Sequence, residues 1–255
     1  MKLLKFIFLI GIIGFPTSIL KSQELLNITY EVSVELDLDN MKINGISVKD
    51  TNLADAISAT SDHKFYYELF LNKMESSFRP IEKINNEQPA EPGSIRIIVE
   101  PGGKNIYKDF TSHTILEEKS FLNKKFIVRD SLRDYKWNLT NETKIILDYE
   151  VRKAVSVIDS TRTIEAWYAV KIPFKDGPFK YWGLPGLILE VEITNTRANN
   201  DKSRFLAIKI EASDKIKINK PGKGEILSEK EFIKLVNDYE EKQMNVIFDG
   251  VDTSD

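Results

Sequence analysis

Between Ile28 and Asp39 the chain alternates apolar and polar residues without a break. Ile28, Tyr30, Val32, Val34, Leu36 and Leu38 interleave with Thr29, Glu31, Ser33, Glu35, Asp37 and Asp39. Period-two alternation over this length predicts a β-strand with one face in a core and the other in water. At about 3.3 Å per residue the strand would run about 40 Å, long enough that it should bend with its neighbours. Further strand-like runs are Phe65–Leu71, Ile95–Val99, Ile106–Phe110, Phe121–Val128, Tyr135–Leu139, Lys144–Val151, Lys153–Ile158, Thr163–Val170, Leu187–Thr194 and Arg204–Glu211. Turn signals separate many of them, at Pro101-Gly102-Gly103, Asn123-Lys124, Asp159-Ser160, Pro185-Gly186 and 198–201. Short polar joints favour antiparallel pairing, because parallel pairs need longer crossovers. The expected fold is mainly β (α+β): one curved antiparallel meander sheet, half-barrel-like, with one C-terminal amphipathic helix.

That helix is predicted from Ser228 to about Gln243. Ser228 and Glu231 form a capping-box pattern, and Phe232, Leu235, Val236 and Tyr239 follow on one stripe. A shorter helix over Asn52–Thr60 is a weaker signal inside a long excursion, Asn40–Asp62.

The first residues carry an address. MKLLK precedes an apolar run from Phe6 to Phe15, and Ser22 offers a small residue for cleavage. This is a signal-peptide pattern, and its apolar core is half the roughly 20 residues a membrane span needs. Removing 1–22 takes away Lys2, Lys5 and Lys21 and no acid, so 36 basic residues fall to 33 against 39 acidic. A moderately acidic exported chain argues against nucleic-acid or anionic-lipid partners. The chain has no cysteine, which excludes disulfides, thiolate metal sites, Cys nucleophiles and a lipoprotein anchor. The expected organisation is a signal peptide over 1–22, one β-rich domain over 23–248 and a flexible acidic tail over 249–255.

The densest patch is AWYAVKIPFKDGPFKYWGLPGLILEVE, residues 166–192, with Trp167, Tyr168, Phe174, Phe179, Tyr181 and Trp182 inside sixteen positions. Pro173, Gly177 and Pro178 prevent one continuous strand. Leu184-Pro185-Gly186-Leu187 fits a type II turn, with Gly186 at positive φ and Gly183 permitting close backbone approach. Leu187, Leu189, Val191 and Ile193 are expected inward, and Glu190, Glu192 and Thr194 outward.

The hexapeptide 183–188, with Ala166-Trp167, Ile172-Pro173 and Gly177-Pro178 before it, resembles the signature of the GLPGLI family, Porphyromonas-type secreted proteins of Bacteroidetes. The likeness extends to YYELFLNKMESSF (66–78), FLNKKFIVRDSL (121–132), Trp137, TKIILDYEVRKA (143–154) and ILSEKEFIKL (226–235). Glu150 stands where members often carry Cys, so a thiol role there does not transfer. The resemblance implies an exported, β-rich protein of uncharacterised biochemical function, and it supplies no catalytic residues.

Catalytic signals are thin. His63 and His113 lie in polar stretches, and no nucleophile elbow, His-Glu-x-x-His or phosphate-binding Gly loop occurs. Asp37, Asp39 and Asn40 lack the glycine and distal glutamate of a calcium loop. Sequons at Asn27, Asn138 and Asn141 carry no meaning in a bacterial chain. No metal or other cofactor is expected. Three functions stay open. The first is a non-enzymatic binding or carrier protein for an apolar ligand or peptide, periplasmic, outer-membrane-associated or secreted. The second is a partner docking on an outer-membrane receptor or secretion complex through the 167–188 face. The third is a carboxylate hydrolase using Glu165 with Glu190 or Glu192. Candidate binding residues are Trp167, Tyr168, Phe179, Tyr181, Trp182 and Leu184. Gly177, Pro178, Gly183, Pro185, Gly186 and Leu187 are read as structural.

Overall fold

The computed structural model describes residues 25–37, 42–43, 46–48, 64–81, 103–196, 201–212 and 218–249. The signal segment, most of the excursion including its short helix, His63, Asp39, Asn40, the Ile95–Val99 run, the 198–200 turn residues and the last six residues lie outside them.

The alternating segment forms β1 (Leu26–Glu35), buried at every second residue from Leu26 to Val34. A two-stranded ribbon, β2 (Lys42–Ile43) and β3 (Ile46–Ser47), stands apart. The chain continues through β4 (Phe65–Leu71), β5 (Glu75–Pro80), β6 (Ile106–Asp109), β7 (Thr114–Phe121) and β8 (Lys124–Ser131). A second series follows: β9 (Asn138–Ile146), β10 (Tyr149–Val157), β11 (Arg162–Ala169), β12 (Leu187–Asn195) and β13 (Asp201–Ala212). A short β14 (Glu225–Leu227) precedes helix α1 (Glu229–Asp249).

Twelve strands form one open, curved sheet in the order β14-β8-β7-β6-β5-β4-β1-β13-β12-β11-β10-β9. It consists of two antiparallel meanders, β4 to β8 and β9 to β13, joined by β1 between β4 and β13. The wholly antiparallel expectation needs one correction, because β14 pairs parallel with β8. This is possible because the chain returns to β8 only after all of β9 to β13.

The curl follows from one connection. β8 and β9 stand ten strand spacings apart in the sheet, about 48 Å if it were flat. Residues 132–137 join them, and the seven steps from Ser131 to Asn138 reach about 25 Å at most. The two ends of the sheet must therefore turn toward each other. β9 and β14 remain separate edges, so the barrel does not close.

Two predicted runs, Phe121–Val128 and Lys144–Val151, are hairpins rather than single strands. Leu122-Asn123 and Leu147-Asp148 turn at positive φ, between 48° and 63°. Neither turn contains glycine, so neither shows the usual Asn-Gly signature. Tyr135–Trp137 belongs to the connection, and the strand there starts at Asn138.

Helix α1 begins at the expected cap. The Glu231 amide donates to Ser228 Oγ (3.2 Å), and the Ser228 amide donates to Glu231 Oε2 (2.8 Å). It runs to Asp249 rather than Gln243. Phe232 packs edge-on against Phe126 and Phe121, covering one end of the sheet near β8. Leu235 and Tyr239 of the same stripe remain exposed.

Candidate functional site

Residues 170–186, between β11 and β12, run along the inner face of the curl and fill much of it. Tyr30 of β1 donates its hydroxyl to Ile188 O at 2.6 Å, and Phe179 stacks on Phe205 of β13 at 6.0 Å. Within the loop, Ile188 N donates to Asp176 O and Gly183 N to Lys175 O, both at 2.9 Å. A turn at Pro178–Tyr181 closes through the Tyr181 amide and Pro178 carbonyl. Phe179 takes φ 53°, a costly conformation for a bulky side chain. Its stacking and the turn hydrogen bond hold it there.

The motif glycines exchange their expected roles. Gly183 has φ +95°, whereas Gly186 lies outside the positive-φ region, so the type II turn at 184–187 does not form. Gly186 instead sits where a Cβ would fall 2.2 Å from Ala169 O. The β11 backbone passes across it, so only hydrogen fits there. Gly177 is similarly crowded, with a Cβ placed 2.6 Å from Ile188 Cβ. Pro178 and Leu187 are buried, and Pro185 is exposed.

Beneath the loop lies a sealed ion pair that no sequence pattern announces. Lys108 Nζ of β6 reaches Asp176 Oδ1 at 2.5 Å, with side-chain exposures of 0% and 1%. It also donates to Gly177 O at 2.8 Å. Burial lowers the Lys108 pKa, and the neighbouring Asp176 opposes that shift. Tyr30 is pushed well above its ordinary value by burial and by the Asp176 charge. Lysine on a strand normally signals the wet face, which hid Lys108. Asp176 read as part of a loop.

Beside this plug a cleft of about 360 Å³ remains between the two arms of the sheet. Ile115 and Val128 come from β7 and β8. Ile158, Ile164 and Ile193 come from the opposing arm, and Phe179 and Tyr181 from the loop. Tyr135 stacks on Trp137 and donates to Lys180 O at 3.3 Å, tying the β8–β9 connection to the loop. Burial raises the pKa of both Tyr135 and Tyr181. Charged side chains border the mouth, including Arg133, Arg162 and Lys180. The arrangement is an apolar slot with a polar rim, the usual chemistry of a small-molecule site.

The candidate binding residues divide among several places. Phe179 and Tyr181 line the cleft. Trp182 is half-buried, packs against Phe110 and His113, and donates Nε1–H to Arg133 O at 2.7 Å. Tyr168 and Leu184 are buried, at 2% and 1% exposure. Trp167 lies on the outer face under Lys144, 4.2 Å from its ring centroid. Trp167 and Trp182 therefore face opposite sides of the sheet. The cleft's aliphatic wall and Arg133 were not legible in sequence, since they converge only when the sheet curls.

The carboxylates also lie on the outer face, each beside a cation. Glu165 pairs with Lys153 (3.0 Å) and Glu192 with Lys202 (3.3 Å). Glu190 departs from the expected wet position: it is 5% exposed, between Lys144 (2.5 Å) and Arg204 (2.8 Å). Lys144 reaches it from the β9–β10 hairpin, which covers this part of the sheet. Among the described residues, no group of three His, Asp or Glu side chains could hold a metal ion, and no helix is long and apolar enough to cross a membrane.

A family model described as "Protein of unknown function (Porph_ging)" matches residues 155–190, from the end of β10 through the motif loop into β12. A search of curated protein sequences finds no match. Among solved structures the chain is similar to PNGF-II in two crystal forms. In the C2 form the identity is 18% and the TM-score 0.53, covering 84% of this chain and 32% of that one. In the P21 form the values are 18% and 0.51, over 83% and 33%. The chain thus spans about one third of the PNGF-II chain, and the likeness is one of fold. A LolA superfamily protein from Nitrosomonas europaea, 10% identical over 78% of this chain and 91% of that one, superposes with a TM-score of 0.30, too low to carry an argument.

Proposed function

We propose that the chain is an exported cell-envelope protein of the GLPGLI type that binds and carries an apolar ligand or peptide. In this reading residues 1–22 are a cleaved signal and 23–248 form one β-rich domain with an acidic tail. The protein acts in the periplasm, at the outer membrane or outside the cell. The observation that carries the reading is the cleft. The motif loop occupies most of the inner face, yet leaves about 360 Å³ between isoleucines of the two arms. That space is a concave, largely aliphatic surface open to solvent past charged side chains, the form small-molecule sites take. Phe179 and Tyr181 are the two candidate binding residues that this reading keeps at the ligand.

Native mass spectrometry of protein released gently from its host envelope should show an adduct that organic extraction removes. Ile193→Arg, which places a charge on the cleft wall, should emerge without the adduct. Extracted protein should also enhance an apolar fluorophore's emission, and a ligand should reverse it. Protein that carries no adduct and leaves the fluorophore dark would overturn the reading.

A further inference from the structure

The charges at the cleft mouth are unevenly satisfied. Lys180 is held by Glu117 at 2.7 Å. Arg162 is held by Asp159 through two contacts of 2.8 and 2.6 Å. Glu229 is held by Lys119 at 3.1 Å. Arg133 differs. Among the described residues no carboxylate stands within ion-pair distance of its guanidinium, which lies 5.9 Å over the Tyr135 ring. Its charge is nevertheless felt at the phenols of Tyr135 and Tyr181, both of which line the cleft. The residue is thus an exposed cation at the entrance of an aliphatic slot, with its five donors uncommitted to any acid.

Resting on the carrier reading, we infer that the ligand is a single-chain aliphatic carboxylate, its tail between the isoleucines and its head group on Arg133. The walls favour a flexible alkyl chain: Ile115, Val128, Ile158, Ile164 and Ile193 offer methyl and methylene groups, beside the rings of Tyr135, Phe179 and Tyr181. A volume of about 360 Å³ is near the lower end for small-molecule sites and suits one chain. The charge count selects a monoanion. Asp130 borders the same cleft, exposed and with its Oδ1 accepting the Ser131 amide, and Glu117 and Glu229 stand beside it. Glu117 and Glu229 are already paired with Lys180 and Lys119, so one open guanidinium beside the Asp130 carboxylate matches a single negative charge, and a phosphate dianion would meet repulsion from Asp130. Guanidinium and carboxylate also match as a two-pronged pair.

Dodecanoate, dodecanol and dodecyl phosphate, each displacing an apolar fluorophore from extracted full-length protein, test this. Dodecanoate should bind about tenfold or more tighter than dodecanol. Arg133→Gln should remove that advantage and leave dodecanol binding unchanged, which also shows that the variant cleft is intact. The substitution spares the hydrogen bond from Trp182, because that bond uses the Arg133 carbonyl. Shortening the acid by one methylene should weaken it about fourfold. If acid and alcohol bind equally well, the head-group inference falls while the carrier reading stands. If dodecyl phosphate binds tightest, the monoanion is wrong. If none of the three binds, although another apolar ligand does, the alkyl-chain inference falls alone; if nothing apolar binds, the carrier reading falls with it.

Discussion

Lys108 Nζ stands 2.5 Å from Asp176 Oδ1, and both side chains are closed to solvent. The pair fastens the motif loop to β6, on the opposite half of the sheet from the strands that carry the loop. Desolvating two ions costs several kcal/mol, and their mutual attraction offsets this only while both are present. Lys108→Met should therefore cost about 3–5 kcal/mol by leaving Asp176 charged and alone. Lys108→Met with Asp176→Leu should be more stable than Lys108→Met alone. Denaturant unfolding of Lys108→Met, Asp176→Leu and the double variant measures the coupling, and simple additivity would show the two residues to be independent.

Gly186 and Gly183 should respond differently to alanine. At Gly186 the new methyl meets the Ala169 carbonyl, a backbone group that can move only with β11. The cost should reach about 3 kcal/mol or more. At Gly183 the nearest atom to a new Cβ is Trp137 Nε1 at 3.8 Å, so only the φ of +95° opposes alanine. That strain is about 1–3 kcal/mol. Thermal unfolding should rank Gly186→Ala below Gly183→Ala, and the reverse order would refute these assigned roles.

Tyr30, Tyr135 and Tyr181 all have pKa values raised above the ordinary 10.0 by burial. In the unfolded chain they would ionise near pH 10, while the folded protein keeps them neutral. Their contribution to stability is full below pH 10 and is lost as pH rises above it. Phenolate absorbance should show these three titrating only with the loss of tertiary structure. Ionisation of all tyrosines near pH 10 in a still-folded protein would contradict their burial.

The α1 cap offers a local test. Glu231 is held below its ordinary pKa by the Ser228 amide and hydroxyl, so its contribution is present at neutral pH and lost as pH falls through the lowered value. Ser228→Ala should weaken the helix by about 1 kcal/mol. Since Phe232 is the helix's one buried anchor among its described side chains, the effect should appear as faster amide exchange in the first turn. Exchange in β1 and β12 should not change.

Legibility followed how locally each feature is encoded. The β1 alternation, the β12 start and the Ser228 cap are nearest-neighbour patterns, and each appears close to where it was expected. β5, with three of its six residues Ser or Pro, and β7, which reads Thr-Ile-Leu-Glu-Glu-Lys-Ser-Phe, carry no clear alternation and were not anticipated. Both are interior strands whose pairing comes from neighbours on either side. The glycine-free turn at Leu147-Asp148 hid a hairpin for a similar reason, and the one at Leu122-Asn123 was marked only by the Asn123-Lys124 signal. Their conformation is imposed by the strands they join.

By itself the amino-acid sequence determined a β-rich chain with one half-wet long strand, one capped helix and a glycine-proline corner needing special backbone geometry. Such features depend on residues a few positions apart. The curl was expected from the length of β1, but tertiary structure alone decided that the six-residue β8–β9 connection would draw the two ends of the sheet together. It also decided that Lys108 would be buried against Asp176, that Glu190 would be covered by Lys144, and that Arg133 would stand over an isoleucine-lined cleft. Those contacts join strands from opposite arms. Their energies depend on distance and burial, which no spacing along the chain records.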